Sequence, residues 1–322
     1  MFYHWGIIQK VVGAFAWVLR KFMNISGSEG LVAAGNIFMG MTESPVLIKN
    51  YLPTMNRSEI FLVMVSGMGT IAGSVMGTYI GMLGGTDPAA KVLFATHLLS
   101  ASVMAVPGSI VLAKMLCPQT EEATDHVAIS GKEKENSNIL DAISSGTVTG
   151  VKLMTNIAAM LLVFISLVAL ANYITEGVIG RYTGLNDWIV KITDGKEQGL
   201  TFQFILGVIT SPFMWLIGVP SQDIMLVGSL LGQKTILNEF VAYFQLQQWK
   251  DAGLFMYEKS ILMSTYILCG FANISSIGIL LGGLGVLAPE KRGLISRIGV
   301  PAMIGGALVS VLSATIIGMI LG

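Results

Sequence analysis

Two carboxylates sit inside apolar segments of this chain, each where a straight membrane helix would break. Glu239 falls within Gly232–Tyr243 (GQKTILNEFVAY) and Glu43 within Gly35–Pro45 (GNIFMGMTESP). A charge near the bilayer centre costs at least ~3 kcal/mol on insertion scales, so an acid kept there points to a task. Two such acids in one small chain point to a polar solute or ion crossing a membrane.

The membrane setting follows from composition. Of 322 residues, 53% are hydrophobic and only 12% charged, where a soluble domain carries about 25%. The net charge of zero offers nucleic acid no electrostatic footing. Cys117 and Cys269 lie in separate apolar segments and read as buried thiols, because no paired spacing suggests a disulfide or metal site. His4, His97 and His126 are scattered, and His97 is expected to pack within its apolar span. Residues 1–26 read as an amphipathic interfacial helix, with Gln9, Lys10, Arg20 and Lys21 among Trp, Val, Ile and Phe. The chain is therefore expected in a plasma (inner) membrane, crossing it several times.

A spanning helix needs about 20 predominantly apolar residues. Residues 59–84, 92–116, 153–175, 260–286 and 298–321 satisfy that requirement. Residues 27–52 and 222–246 do not, because Gly, Pro, Lys, Asn and Glu interrupt them. Such segments predict re-entrant hairpins, tolerated only where protein or a water-filled cavity surrounds them. Residues 119–139 read as a hydrophilic cytoplasmic loop and 140–182 as a long helix.

An internal repeat organises these pieces. Gln9, Gly13, Trp17 and Glu43 recur in order as Gln203, Gly207, Trp215 and Glu239, the acid following the glutamine by 34 residues in one case and 36 in the other. Residues 27–118 thus form a first repeat and 200–322 a second, each holding a hairpin followed by spanning helices. Placing residues 1–57, 114–152 and 289–297 in the cytoplasm puts about twelve Lys and Arg on that side against about six on the other, as the positive-inside preference requires. The segment between the hairpins then crosses three times, so the hairpins enter from opposite faces. This is an inverted repeat, a design that binds solute near the midplane where broken helices meet. The fold class predicted is an all-α polytopic membrane protein with two re-entrant helical hairpins.

Glu43 and Glu239 stand beside Thr42 and Asn238, at half-helix ends whose backbone groups add partners for ions and polar solutes. No nucleophile–base pair accompanies them, so enzyme chemistry is not expected. Asn36, Thr70 and Ser74 offer hard oxygens beside Gly35, Gly69 and Gly73, which suits a small cation, though such residues also serve close helix packing. Lys234 is expected to be a snorkelling or structural cation. Phe240 and Phe271 neighbour Glu239 and Asn273 and could pack on a planar or sugar-like solute.

Gly232-x-Lys-x-x-x-Asn-Glu-Phe-Val-Ala-Tyr243 resembles the signature of the concentrative nucleoside transporters. So do Gly35-Asn-Ile-Phe-x-x-x-Thr-Glu-x-Pro45, Thr70-Ile-Ala-Gly-Ser74 and Cys269-Gly-Phe-Ala-Asn-x-Ser-Ser276, in order along nearly the whole chain. The resemblance implies a homotrimer, each protomer holding a scaffold domain (with the long helix 140–182) and a moving transport domain. It implies that Glu239, Asn273 and Ser276 hold ribose hydroxyls with Phe271 alongside, and that Gly40, Met41, Thr42, Glu43 and Val75 surround the base. It further implies sodium held by the side chains of Asn36 and Thr70 and the carbonyls of Met39 and Ile71.

Two departures from the family pattern stand out. Met41 replaces a glutamine found in many members, and a thioether cannot donate to a base edge, so Gly40-Met41 implies that purine nucleosides are favoured. Family members also carry membrane helices before the amphipathic one, which this chain is expected to lack. The function expected is sodium-driven nucleoside import by alternating access. A proton-coupled nucleoside symporter of broader or pyrimidine preference is the alternative, and a membrane-embedded enzyme or passive channel the rival of another class.

Overall fold

The computed structural model describes residues 7–121, 139–193, 195 and 198–322, and every regular element among them is helical. His4, His126, the chain before Ile7 and residues 122–138 of the hydrophilic loop lie outside the described residues.

Helix α1 (Ile7–Met23) is amphipathic, with Val12 buried and Trp17 and Phe22 exposed. It packs on α2 (Gly27–Gly35), the first arm of the hairpin. A capping box starts α2: Ser26 Oγ accepts from Glu29 N at 3.3 Å, and Glu29 Oε2 accepts from Ser26 N at 2.9 Å. The chain leaves α2 at Asn36, turns through Gly40–Glu43 and enters a 3-10 turn at Ser44–Ile48, with Pro45 near its start.

Asn56 and Glu59 form a second capping box, which starts α3 (Arg57–Gly69). Every residue of α3 from Ser58 to Gly69 is buried, as befits a helix apolar on all sides. Thr70 then adopts extended backbone, and α4 (Gly73–Gly84) begins three residues later. Asp87 caps α5 (Pro88–Leu116), whose Pro88 needs no intrahelical donor partner.

Helix α6 (Ile139–Asn172) runs on through a π-helical stretch, Tyr173–Gly180, to the short helices α7 (Arg181–Thr183) and α8 (Leu185–Ile192). Asn172 ties it to the second half: its Nδ2 donates to Gln203 Oε1 at 3.2 Å and its Oδ1 accepts from Phe202 N at 2.7 Å.

The second half repeats the order of the first. Helix α9 (Phe202–Leu216) packs closely on α10 (Ile224–Ile236). Then come α11 (Glu239–Asp251), α12 (Glu258–Leu268), α13 (Ile274–Leu287), a 3-10 turn at Pro289–Lys291 and α14 (Arg292–Ile320). The halves interlock, with α3 against α14 and α5 against α12. Both apolar cores draw on both halves; Val32 and Leu62 share one with Leu280 and Val309, and Met76 and Leu98 share the other with Leu230 and Tyr266.

Residues 59–84 and 260–286, expected as continuous spanning helices, are each two helices joined by a break. The breaks cross inside the protein, where Phe271 N donates to Thr70 O at 3.2 Å. Gly270 permits this approach: a Cβ there would lie 2.7 Å from Ser310 Oγ and 3.0 Å from Met68 O. Asn273 starts the second arm by capping α13, its Oδ1 accepting from Ser276 N at 2.9 Å. Hydropathy registers none of this, because the residues at both breaks remain apolar or small. Among the described residues, Arg57–Gly84, Pro88–Leu116 and Pro289–Ile320 are long and apolar enough to cross a membrane.

Candidate solute and cation sites

Three helix starts and the turn of the first hairpin converge on one cavity of about 230 Å³. Gly40, Met41, Thr42 and Glu43 reach it from the hairpin turn, and Val75 from the first turn of α4. Glu239 reaches it from the first turn of α11; Phe271, Asn273 and Ser276 reach it from the second break and the start of α13. All nine residues expected around a solute thus line one space. The N-termini of α4, α11 and α13 open on it, and their unpaired backbone donors favour electronegative groups there.

Glu239 is only 7% exposed, yet its carboxylate faces the cavity with partners on both oxygens. Tyr79 Oη donates to Oε1 at 3.2 Å and Asn273 Nδ2 donates to Oε2 at 3.1 Å. An ionised carboxylate offers about four acceptor positions, so two of these bonds leave capacity for a solute hydroxyl. The Asn273 Oδ1 atom is crowded by contrast, accepting from Ser275 Oγ at 2.7 Å, Ser276 Oγ at 3.0 Å and the Ser276 amide. Its amide direction is thereby fixed, with the nitrogen toward Glu239.

Glu43 is the more exposed acid, and its Oε2 accepts from Gly40 N at 2.7 Å, folding the hairpin turn on itself. Met41 is 8% exposed and lies against Gly67 of α3, where an added Cβ would come within 2.9 Å of its own Cβ. Phe240 and Phe271 supply aromatic wall, and Tyr79 stacks on Tyr243 with centroids 4.2 Å apart and planes 22° apart.

Tyr79, Ser275 and Ile279 were not singled out from sequence. Tyr79 stands four residues after Val75, one turn along the same helix face, and that spacing was the available signal. The acid it meets is 160 positions away in sequence, so nothing local foretold the bond.

Asn36, Met39, Thr70 and Ile71 do not line the cavity. Asn36 and Thr70 are buried, and Ser66 links them: Asn36 Nδ2 donates to Ser66 Oγ at 2.9 Å, and Thr70 Oγ1 donates to Ser66 O at 2.9 Å. Ser44 Oγ donates to Asn36 Oδ1 at 2.6 Å. The carbonyls of Met39 and Ile71 accept no hydrogen bond among the described residues. Asn36, Thr70 and Ile71 are buried and Met39 half-buried; neutral oxygens with free lone pairs are the ligand type a small alkali cation requires, so this set fits one.

Lys234 does not snorkel. It is 0% exposed, and Nζ donates to Ile267 O at 2.7 Å and to Ser310 Oγ at 3.0 Å rather than to Glu239.

Comparison with known proteins shows the family of the chain. Residues 97–318 match the family described as "Na+ dependent nucleoside transporter C-terminus", and residues 1–86 match "Nucleoside recognition". The chain is 39% identical to an uncharacterized transporter of Haemophilus influenzae, covering 99% of itself and 72% of that protein. It is 38% identical to sodium/nucleoside cotransporter 1 of Rattus norvegicus, covering 99% of itself and 48% of that protein. Among solved structures it resembles CNTnw in an inward-facing substrate-bound state, with TM-score 0.86 and 36% identity over 100% of this chain and 72% of that one. A double variant of CNTnw in an outward-facing state matches with TM-score 0.87 and 35% identity, over 99% and 71%.

Proposed function

Because the chain belongs to the family of sodium-dependent nucleoside transporters, we propose that it imports nucleosides by alternating access, driven by an inward sodium gradient. The observation that carries this reading is the pairing of Glu239 with Asn273 in a cavity walled by Phe240 and Phe271. Ribose supplies vicinal hydroxyls that donate to Glu239 and accept from Asn273. The flat base packs on aromatic and thioether surface near Met41, Thr42 and Val75.

Sodium binds between Asn36, Thr70 and the carbonyls of Met39 and Ile71. This set joins the hairpin to the end of α3, so the cation stiffens the turn that carries Gly40–Glu43. Solute and ion are coupled through that turn, since one orders what the other must contact. Met41 in place of an amide side chain favours purine nucleosides. The protomers assemble as a homotrimer through a scaffold that includes α6, whose apolar side chains Leu162 and Leu170 are exposed.

Equilibrium binding of inosine, compared with its free base hypoxanthine, tests the ribose role. Hypoxanthine is expected to bind at least ~100-fold more weakly, because a site built for hydroxyls leaves buried polar groups unpaired when they are missing. Equal affinities would contradict the assignment of Glu239 and Asn273.

A further inference from the structure

Each half buries a polar side chain near the end of its hairpin's first helix, one neutral and one charged. In the first half Asn36, at the end of α2, reaches Ser66 in α3, just ahead of the first break. In the second half Lys234, near the end of α10, reaches Ile267 in α12, just ahead of the second break. Both side chains are 0% exposed.

The surroundings of Lys234 Nζ are those of a bound cation. Its two acceptors are neutral oxygens, the Ile267 carbonyl and the Ser310 hydroxyl, and Ser310 Oγ in turn donates to Cys269 O at 3.1 Å. An ammonium carries three donors, and the third finds no protein acceptor among the described residues. A lysine kept only for stability would be expected to face a carboxylate, since an unpaired buried charge is costly. One carbonyl at the end of the broken helix, Ile267 O, and the Ser310 hydroxyl take that place here, and such carbonyls are among the ligands broken membrane helices give to alkali ions.

We infer that Lys234 is a built-in cation, occupying the second-half counterpart of the sodium site so that only one site is left for a mobile ion. The inference rests on the sodium reading for the identity of that first site, and on the geometry at Ile267 and Ser310 for the second. Removing the ammonium therefore opens a second site, one that accepts any small cation able to reach the Ile267 and Ser310 oxygens.

The test is thermal unfolding of the purified chain and of Lys234→Ala, each in choline, sodium or methylammonium chloride. Wild type is expected to respond to sodium alone, along a one-site curve. Lys234→Ala is expected to unfold earlier in choline and to gain about 5 °C or more from methylammonium or sodium at roughly 100 times the dissociation constant. An unchanged response of the variant to both cations overturns the proposal. Lys234→Gln, which keeps a polar head and adds a carbonyl oxygen, is read in the same way. Failure to recover either variant in any of the salts also overturns it, because an added cation should restore the fold. If sodium leaves wild type unmoved while methylammonium stabilises Lys234→Ala, the built-in cation stands and sodium coupling falls.

Discussion

The amide of Asn273 reaches from the cap of α13 to Glu239 Oε2 at 3.1 Å, joining two helices that begin at the same cavity. One helix starts at the tip of the second hairpin and the other at the second break. The bond therefore couples the hairpin to the core, and it orients the acid that ribose would meet.

Glu239→Gln keeps the size of the side chain and removes its charge. A hydrogen bond to a charged group contributes about 1.5–3 kcal/mol, so nucleoside uptake should fall roughly 10- to 100-fold. The preference for nucleosides over their 3′-deoxy analogues should shrink in the same variant. Uptake at the wild-type rate from normally expressed protein would remove Glu239 from the site.

Tyr79 satisfies the other oxygen of the same acid. Tyr79→Phe leaves the stack on Tyr243 in place but withdraws a donor from a buried carboxylate. The empty protein should unfold several degrees earlier, and saturating inosine should recover more of that loss than it adds to wild type. A variant as stable as wild type without ligand would show that the Tyr79 hydroxyl does not support Glu239.

Much of this arrangement was legible in the sequence, for a physical reason. Intramembrane charge is so costly that Glu43, Glu239 and Lys234 announce themselves, and Gly and Asn beside them mark backbone that leaves the helix. The breaks at Thr70–Ala72 and Cys269–Asn273 were harder to see. They are short and mostly small or apolar, so hydropathy reads straight through them, and one of their backbone groups is satisfied across 201 positions, Phe271 N donating to Thr70 O. Ser66 and Tyr79 were missed on the same ground, since their partners are set by tertiary packing and not by local pattern.

Met41→Gln adds an amide where the hairpin turn meets Gly67. Cytidine uptake should rise at least ~5-fold relative to inosine, since one hydrogen bond to a base edge contributes about 1 kcal/mol. Competition of labelled inosine by unlabelled cytidine measures the ratio, and an unchanged ratio would take Met41 out of base selection.

Lys114 tests stability away from the cavity. Its Nζ donates to Glu29 Oε1 at 2.5 Å, to Ser58 Oγ at 3.0 Å and to Gln119 Oε1 at 2.9 Å, linking α5 to the starts of α2 and α3. Lys114→Met strands the 1%-exposed Glu29, at a cost of about 3 kcal/mol or a fall of roughly 5–10 °C in Tm. Inosine affinity should stay within about twofold, because distant sites act independently.

Uptake of radiolabelled inosine into proteoliposomes tests the central claim most directly. An inward sodium gradient should drive accumulation above the external concentration, and Asn36→Ala should abolish that drive. Accumulation driven by a proton gradient without sodium, or flux that never exceeds equilibrium, would contradict sodium-coupled import.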